Sequence, residues 1–78
     1  MPKRIQVNCN DGGPPGSFRW RGKKYAVAAV LERWRDTGRW WEGEAPKIFF
    51  RLQTPGGGLW EIYLDTGEAA WYLYKIYD

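Results

Sequence analysis

Arginine interleaved with tryptophan is a pattern that can bind nucleic acid, because guanidinium groups neutralise phosphates while indole rings stack on bases. The chain carries the pattern in RWRDTGRWW, from Arg33 to Trp41, and in FRWRG, from Phe18 to Gly22. In an extended strand, successive side chains point to opposite faces. Trp34 then faces one way with Arg33 and Arg35 opposite, and Phe18 and Trp20 share a face with Arg19 and Arg21 opposite. Asp36-Thr37-Gly38 suits a tight reversal, since glycine accepts the positive φ such loops need. The predicted unit is a hairpin with an aromatic face and an arginine-rich face. Its candidate nucleic-acid-binding residues are Arg19, Trp20, Arg21, Arg33, Arg35, Arg39 and Trp40. Stacking on an exposed Trp20 or Trp40 contributes about 1–3 kcal/mol per base and tolerates any sequence.

A structural explanation competes on equal terms. The tryptophans can fill a core, while the arginines pair across the hairpin with Glu32, Asp36, Glu42 and Glu44, an ordinary way to stabilise a sheet.

Other chemistries find little support. There is no histidine, and Cys9 is the one cysteine. A His general base, a zinc site of Cys and His, and a disulfide within the chain are therefore excluded. No nucleophile–base pair stands out, so the expectation is a binding module, not an enzyme, with no cofactor and no metal. Asp36, Glu42 and Glu44 lack a recognised magnesium-site spacing. Gly12-Gly13-Pro14-Pro15-Gly16 is followed by neither a helix nor Gly-Lys-Ser/Thr, so it is no phosphate loop. Turn chemistry accounts for it, as it does for Gly56-Gly57-Gly58.

The elements that must position these residues read as strands. Lys3 to Asn8 alternates around Ile5 and Val7, Asn10 to Gly16 is a loop, and Phe18 to Trp20 is a short strand with a turn at Gly22-Lys23. Lys24 to Arg35 fits two templates. Val27, Val30, Leu31 and Trp34 have helical spacing, yet Lys23 and Lys24 stand where an N-cap belongs and place positive charge at a helix start. A long bent strand is favoured, with a bulge near Val30-Leu31 to absorb two adjacent apolar residues. Lys47 to Gln53 is the clearest strand, with Ile48, Phe50 and Leu52 on one face. Thr54 to Gly58 is a loop, Leu59 to Leu64 a strand, Asp65 to Glu68 a turn, and Ala70 to Tyr77 a closing strand with apolar residues on both faces. Short turns and the lack of a helical crossover give an antiparallel meander. The predicted fold is all-β, a small SH3-like antiparallel barrel of five or six strands, with an OB-type barrel as the alternative.

Seventy-eight residues make one small domain, read as spanning 1–78. Six Trp, five Tyr and three Phe supply the bulk that so thin a core needs. The net charge is +3, unevenly spread: residues 1–51 hold eleven bases against five acids (+6), and residues 52–78 one base against four acids (−3). A basic field of this kind attracts polyanions. No apolar run approaches membrane-spanning length, and Met1-Pro2-Lys3-Arg4 leads into no signal-like segment, so a reducing, cytoplasmic setting is expected.

The combination FRWRGKKY, VLERWRDTGRWWEGE, FFRLQTPGGGLWEIYLD and WYLYKIYD resembles a small uncharacterised bacterial family over nearly the whole chain from Phe18 onward. Its second half is also similar to the C-terminal tail of polymerase-like proteins related to the Y-family translesion polymerases of bacterial mutasomes. The matching positions are Trp40-Trp41, Phe49-Phe50-Arg51, Gly58, Trp60 and Trp71 to Leu73. The resemblance implies an association with DNA damage tolerance, acting on DNA or on a repair protein. Residues and resemblance together point to single-stranded or distorted DNA as partner. The alternative partner is a protein, held in an SH3-like groove of Trp and Tyr flanked by Glu42, Glu44 and Glu61.

Overall fold

Period-two alternation runs through nearly every segment, and nearly every segment is a strand. The computed structural model describes residues 3–77; Met1 and Pro2, and the Asp78 counted in the charge balance, lie outside the described residues. The strands are β1 (Lys3–Cys9), β2 (Pro15–Trp20), β3 (Lys23–Ala26), β4 (Ala29–Asp36), β5 (Lys47–Gln53), β6 (Leu59–Asp65) and β7 (Ala70–Tyr77). Two single 3-10 turns, at Asn10–Gly12 and Trp40–Glu42, complete the regular structure of the described residues. All pairings are antiparallel and form one sheet in the order β3-β2-β1-β7-β6-β5-β4. The fold is thus all-β and barrel-like, as the alternation predicts, with seven strands in place of five or six.

The extra strand comes from the segment with two readings. Residues 24–35 are extended, not helical, but they are not one bent strand. They break at Val27-Ala28, and β3 and β4 lie at opposite margins of the sheet. Val27 N–H donates to the Gly16 carbonyl at 3.0 Å, and Ala28 N–H to the Gln53 carbonyl at 2.7 Å. Two residues therefore tie the two ends of the sheet together at one corner. The sheet must curl into a half-barrel whose margins diverge from there. The expected bulge is present: Val30 opposes Leu52 and Glu32 opposes Arg51, leaving Leu31 as the extra residue.

The concave face holds the core. Ile5, Phe18, Phe50, Leu52, Trp60, Ile62 and Leu73 form one buried cluster, with Phe18, Leu52 and Ile62 fully enclosed. Phe18 meets Trp60 edge-on at 5.0 Å and stacks on Tyr25 at 5.4 Å. Burial of each such side chain stabilises by roughly 1.5–3 kcal/mol.

The convex face of β4–β7 is layered across the strands. One row runs Trp34–Phe49–Tyr63–Tyr72, with centroids 5.3, 5.1 and 5.2 Å apart in succession. The next row runs Glu32–Arg51–Glu61–Lys75. Glu61 is only 3% exposed. It accepts from Arg51 Nε at 3.0 Å, Arg51 Nη2 at 2.8 Å and the Tyr77 hydroxyl at 2.9 Å. Arg51 Nη1 also reaches Glu32 at 3.3 Å, so one guanidinium ties β4, β5 and β6 together. Its hydrogen bond to Glu61 holds the guanidinium pKa above the ordinary arginine value.

Removing that guanidinium leaves Glu61 as an uncompensated buried charge. Arg51→Met should lower the urea-unfolding midpoint clearly below that of the parent chain. The double variant Arg51→Met, Glu61→Leu should recover most of the loss. An unchanged midpoint in the single variant would make the pair an ordinary surface contact.

Candidate nucleic-acid interface

The seven candidate residues fall in three places, and the single hairpin expected from RWRDTGRWW does not form. β4 pairs with β5, across a loop that runs from Thr37 to Pro46. β2 pairs with β1 and β3, so FRWRG and RWRDTGRWW are not neighbours in the sheet. The local turn chemistry is nevertheless present: Gly38 N–H donates to Asp36 Oδ1 at 2.9 Å, and Gly38 has φ +60. What diverts the chain is non-local. Thr66, in the β6–β7 turn, donates to the Pro46 carbonyl through its N–H at 3.2 Å and its hydroxyl at 2.7 Å. That anchors the end of the loop against the β6–β7 turn, just before Lys47 enters β5.

Arg19, Trp20 and Arg21 belong to the β2–β3 hairpin. Arg21 and Gly22 both have positive φ, 51 and 75. That is the two-residue turn whose twist suits flanking strands, one position earlier than predicted. Trp20 faces the concave side with Phe18, as the alternation predicts, and is half-buried against the core. The Arg21 guanidinium lies 5.1 Å from its ring and Lys3 Nζ 5.8 Å. Arg19 is exposed on the opposite face, between Gln6 and Lys24.

Arg33 and Arg35 lie on the concave side of β4, opposite Phe50 and Ile48. The Arg33 guanidinium sits 6.0 Å from the Phe50 ring, at a pocket of about 460 Å³ that the Cys9–Pro14 loop overhangs. Trp34 points to the convex face, as expected. Arg39 and Trp40 are in the β4–β5 loop. Arg39 pairs with Glu42 at 3.6 Å, whereas Trp40 and Trp41 are 70% and 66% exposed and meet each other edge-on.

Of the candidate arginines, Arg39 alone among the described residues forms an ion pair, while Glu32 is taken by Arg51, outside the candidate set. Among the described residues, no carboxylate lies within 4.0 Å of the Arg19, Arg21, Arg33 or Arg35 guanidinium. Likewise, no group of Cys, Asp and Glu among them is arranged to hold a metal ion.

Tertiary structure also shows where the charge resides. Residues 3–26, the wing made by β1–β3, carry Lys3, Arg4, Arg19, Arg21, Lys23 and Lys24 against Asp11 alone, six bases to one acid, +5. Residues 27–77 carry six bases against seven acids, −1. Arg4, Lys3, Lys23 and Lys24 are the residues that a search for adjacent Arg and Trp passes over. The usable signal was the same-face alternation of Arg4 with Gln6 in KRIQVN. Along β1, Arg4 and Gln6 border a cleft of about 870 Å³ that Arg19 and the β6–β7 connection also line.

Over residues 3–78 the sequence matches the family model described as Domain of unknown function (DUF6504). The chain belongs to that family. No curated protein and no solved structure gives a significant match. The DUF6504 match accords with the resemblance to an uncharacterised domain family and carries no link to polymerase tails. Among the described residues, no helix is long and apolar enough to cross a membrane.

The wing meets the larger part of the sheet where Arg4 opposes Tyr72. The Tyr72 hydroxyl donates to Glu68 at 2.9 Å, and that bond raises its pKa while Arg4 pulls the other way. Tyr63, beside it, is raised chiefly by burial. Both groups hold their protons more tightly folded than unfolded. Their contribution is thus fully present below about pH 10, the unfolded value, and is lost as pH rises through the raised folded values. Tyr72→Phe should unfold less steeply with pH above about 10 than the parent chain, measured by denaturant midpoints across an alkaline series. Equal slopes would refute the assignment.

Proposed function

We propose that this DUF6504 domain is a non-enzymatic nucleic-acid-binding module that meets single-stranded or distorted DNA with its β1–β3 wing. The observation that carries the reading is the concentration of charge: +5 over residues 3–26, with Arg19 and Arg21 free of carboxylate partners among the described residues. Such a surface supplies the phosphate contacts that dominate affinity for nucleic acid. Trp20 supports Arg21 and Lys3 by cation–π contact and so orders the cations. Base stacking falls to Trp40, which stands clear of the core. The Trp40 loop is tied through Pro46 to the same β6–β7 connection that borders the basic cleft, so both features lie on one end of the domain. A role in DNA damage tolerance rests on the resemblance to the mutasome polymerase-like tail.

A protein partner is the second reading. It is favoured by β4, whose outer margin has no pairing strand among the described residues and which exposes Val30 and Leu31. An incoming strand could add there. The groove form of this reading loses one flank, because Glu61 is buried under Arg51 and Tyr77.

Fluorescence anisotropy of labelled single- and double-stranded oligonucleotides across a salt series separates the two. The nucleic-acid reading expects log K to fall linearly with log salt, and Arg21→Ala and Lys24→Ala each to lower the slope by about 0.7 on single strands. Trp40→Ala should cost about 1–3 kcal/mol. No binding at low salt, where attraction is strongest, would sink it in favour of a strand-adding protein.

A further inference from the structure

We infer that the cleft along β1 is a site for the dianionic phosphate of a phosphomonoester, either a nucleic-acid strand end or a free nucleotide. The inference rests on the polyanion reading of the wing and narrows it.

The cleft arises because β1 changes partners. Lys3–Ile5 bond to β7, whereas Gln6–Cys9 bond to β2. On the outer face of β1, Gln6 stands opposite Arg19, and Arg4 lies two residues along from Gln6. Arg4 and Arg19 are thus diagonal neighbours, at a separation of about 7–8 Å between backbones, within reach of one another's long side chains. Gly22, Ala69 and Ala70 border the same space without bulk to fill it, and Ile5, Val7 and Trp71 give it an apolar side. Gln6 and Asn8 add carboxamides, which can donate to oxygen.

Two neighbouring guanidinium groups repel unless an anion bridges them. Among the described residues, neither has a carboxylate within 4.0 Å. The acid on the adjoining strand connection, Glu68, is engaged by the Tyr72 hydroxyl at 2.9 Å. The site therefore presents two guanidinium groups with no carboxylate in direct contact among the described residues, and their planar, fork-shaped donors suit phosphate oxygens. A phosphodiester in mid-strand brings one negative charge. A phosphomonoester brings about −1.5 to −2 at neutral pH, which matches the pair. A volume of about 870 Å³ leaves room for the nucleoside attached to that phosphate.

The test compares ligands that differ only in this group. Adenosine 5′-monophosphate and adenosine are titrated into the full chain and followed by amide shifts. Labelled single strands carrying a terminal phosphate or a terminal hydroxyl are followed by anisotropy. We expect the phosphorylated member of each pair to bind at least about tenfold tighter, with shifts centred on Arg4 to Asn8 and Arg19. Arg4→Ala with Arg19→Ala should erase that preference, and so should the length-preserving Arg4→Gln with Arg19→Gln, while Lys24→Ala should weaken both strands alike and keep it. Preference with the mononucleotide but no binding of either strand supports the phosphate site and rejects the nucleic-acid reading. Preference on strands only assigns the site to strand ends. Equal binding of phosphate and hydroxyl forms in both pairs overturns the inference, even if oligonucleotides bind well.

Discussion

Two residues, Val27 and Ala28, connect strands at opposite margins of a seven-stranded sheet, and the rest of the structure follows from that constraint. A flat sheet of seven strands spans about 29 Å at the usual spacing between neighbours, far more than two residues can bridge. The sheet has to curl until its margins meet, and the paired amides of Val27 and Ala28 fix where they do. Curling makes one face concave, and there Phe18, Leu52 and Ile62 can be fully enclosed without a second layer packed on top. The small side chains at the corner, Ala26, Ala28 and Ala29, let the chain turn without crowding.

A curled single sheet leaves a convex face with no layer to cover it. Here the aromatic side chains cover one another. Phe49 and Tyr63 are buried on that face because Trp34, Tyr72 and Tyr74 lean over them. The register shift in β7 makes this possible: Ile62 opposes Leu73 and Glu61 opposes Lys75, so Tyr74 is an extra residue free to lie across two rings. The same face hides Glu61, and Arg51 is what makes that burial tolerable. A charge inside a one-layer structure needs its counter-ion on the neighbouring strand, and β5 supplies it directly opposite.

Much of this was legible in the sequence, because alternation is a local signal. Lys47–Gln53 and Ala70–Tyr77 have the bounds their pattern gives, Leu31 is the bulged residue, and Asp36 and Asp65 each accept from an amide two residues on. The opposed faces of Trp34 and Arg33, and of Phe18 and Arg19, follow from the same period. What local pattern does not carry is which strands become neighbours. Arg33–Trp41 reads as a hairpin because its turn residues are right, but the Thr66 contacts to Pro46 come from a turn 20 residues away and claim the returning chain. Arg51 and Glu61 are ten residues apart, and only the β5–β6 register makes them a pair. Arg4 joins Arg19 for the same reason: the β1–β2 pairing, not proximity in sequence, brings them to one face.

Register also separates two kinds of arginine that composition lumps together. Arg33 and Arg35 share the concave face of β4, a strand at the margin of the sheet. Were two copies to pair antiparallel along this margin, residues on the same face would oppose each other. In the register that sets Trp34 opposite itself, Arg33 would meet Arg35 and Glu32 would meet Asp36. Like charges directly opposite are destabilising, and inward-pointing charge is a known way to keep an edge strand from recruiting another. These two arginines thus have a structural reason to exist even if no phosphate ever reaches them. That reason extends to Lys23 and Lys24 on β3 but not to Arg4 and Arg19. β3 is also a margin, yet Arg4 and Arg19 lie on the interior strands β1 and β2, where edge protection is not needed. Unpaired positive charge there costs stability through self-repulsion, and on the proposed reading a bound phosphate offsets that cost at the wing and not at the more conspicuous Arg33–Trp41 stretch.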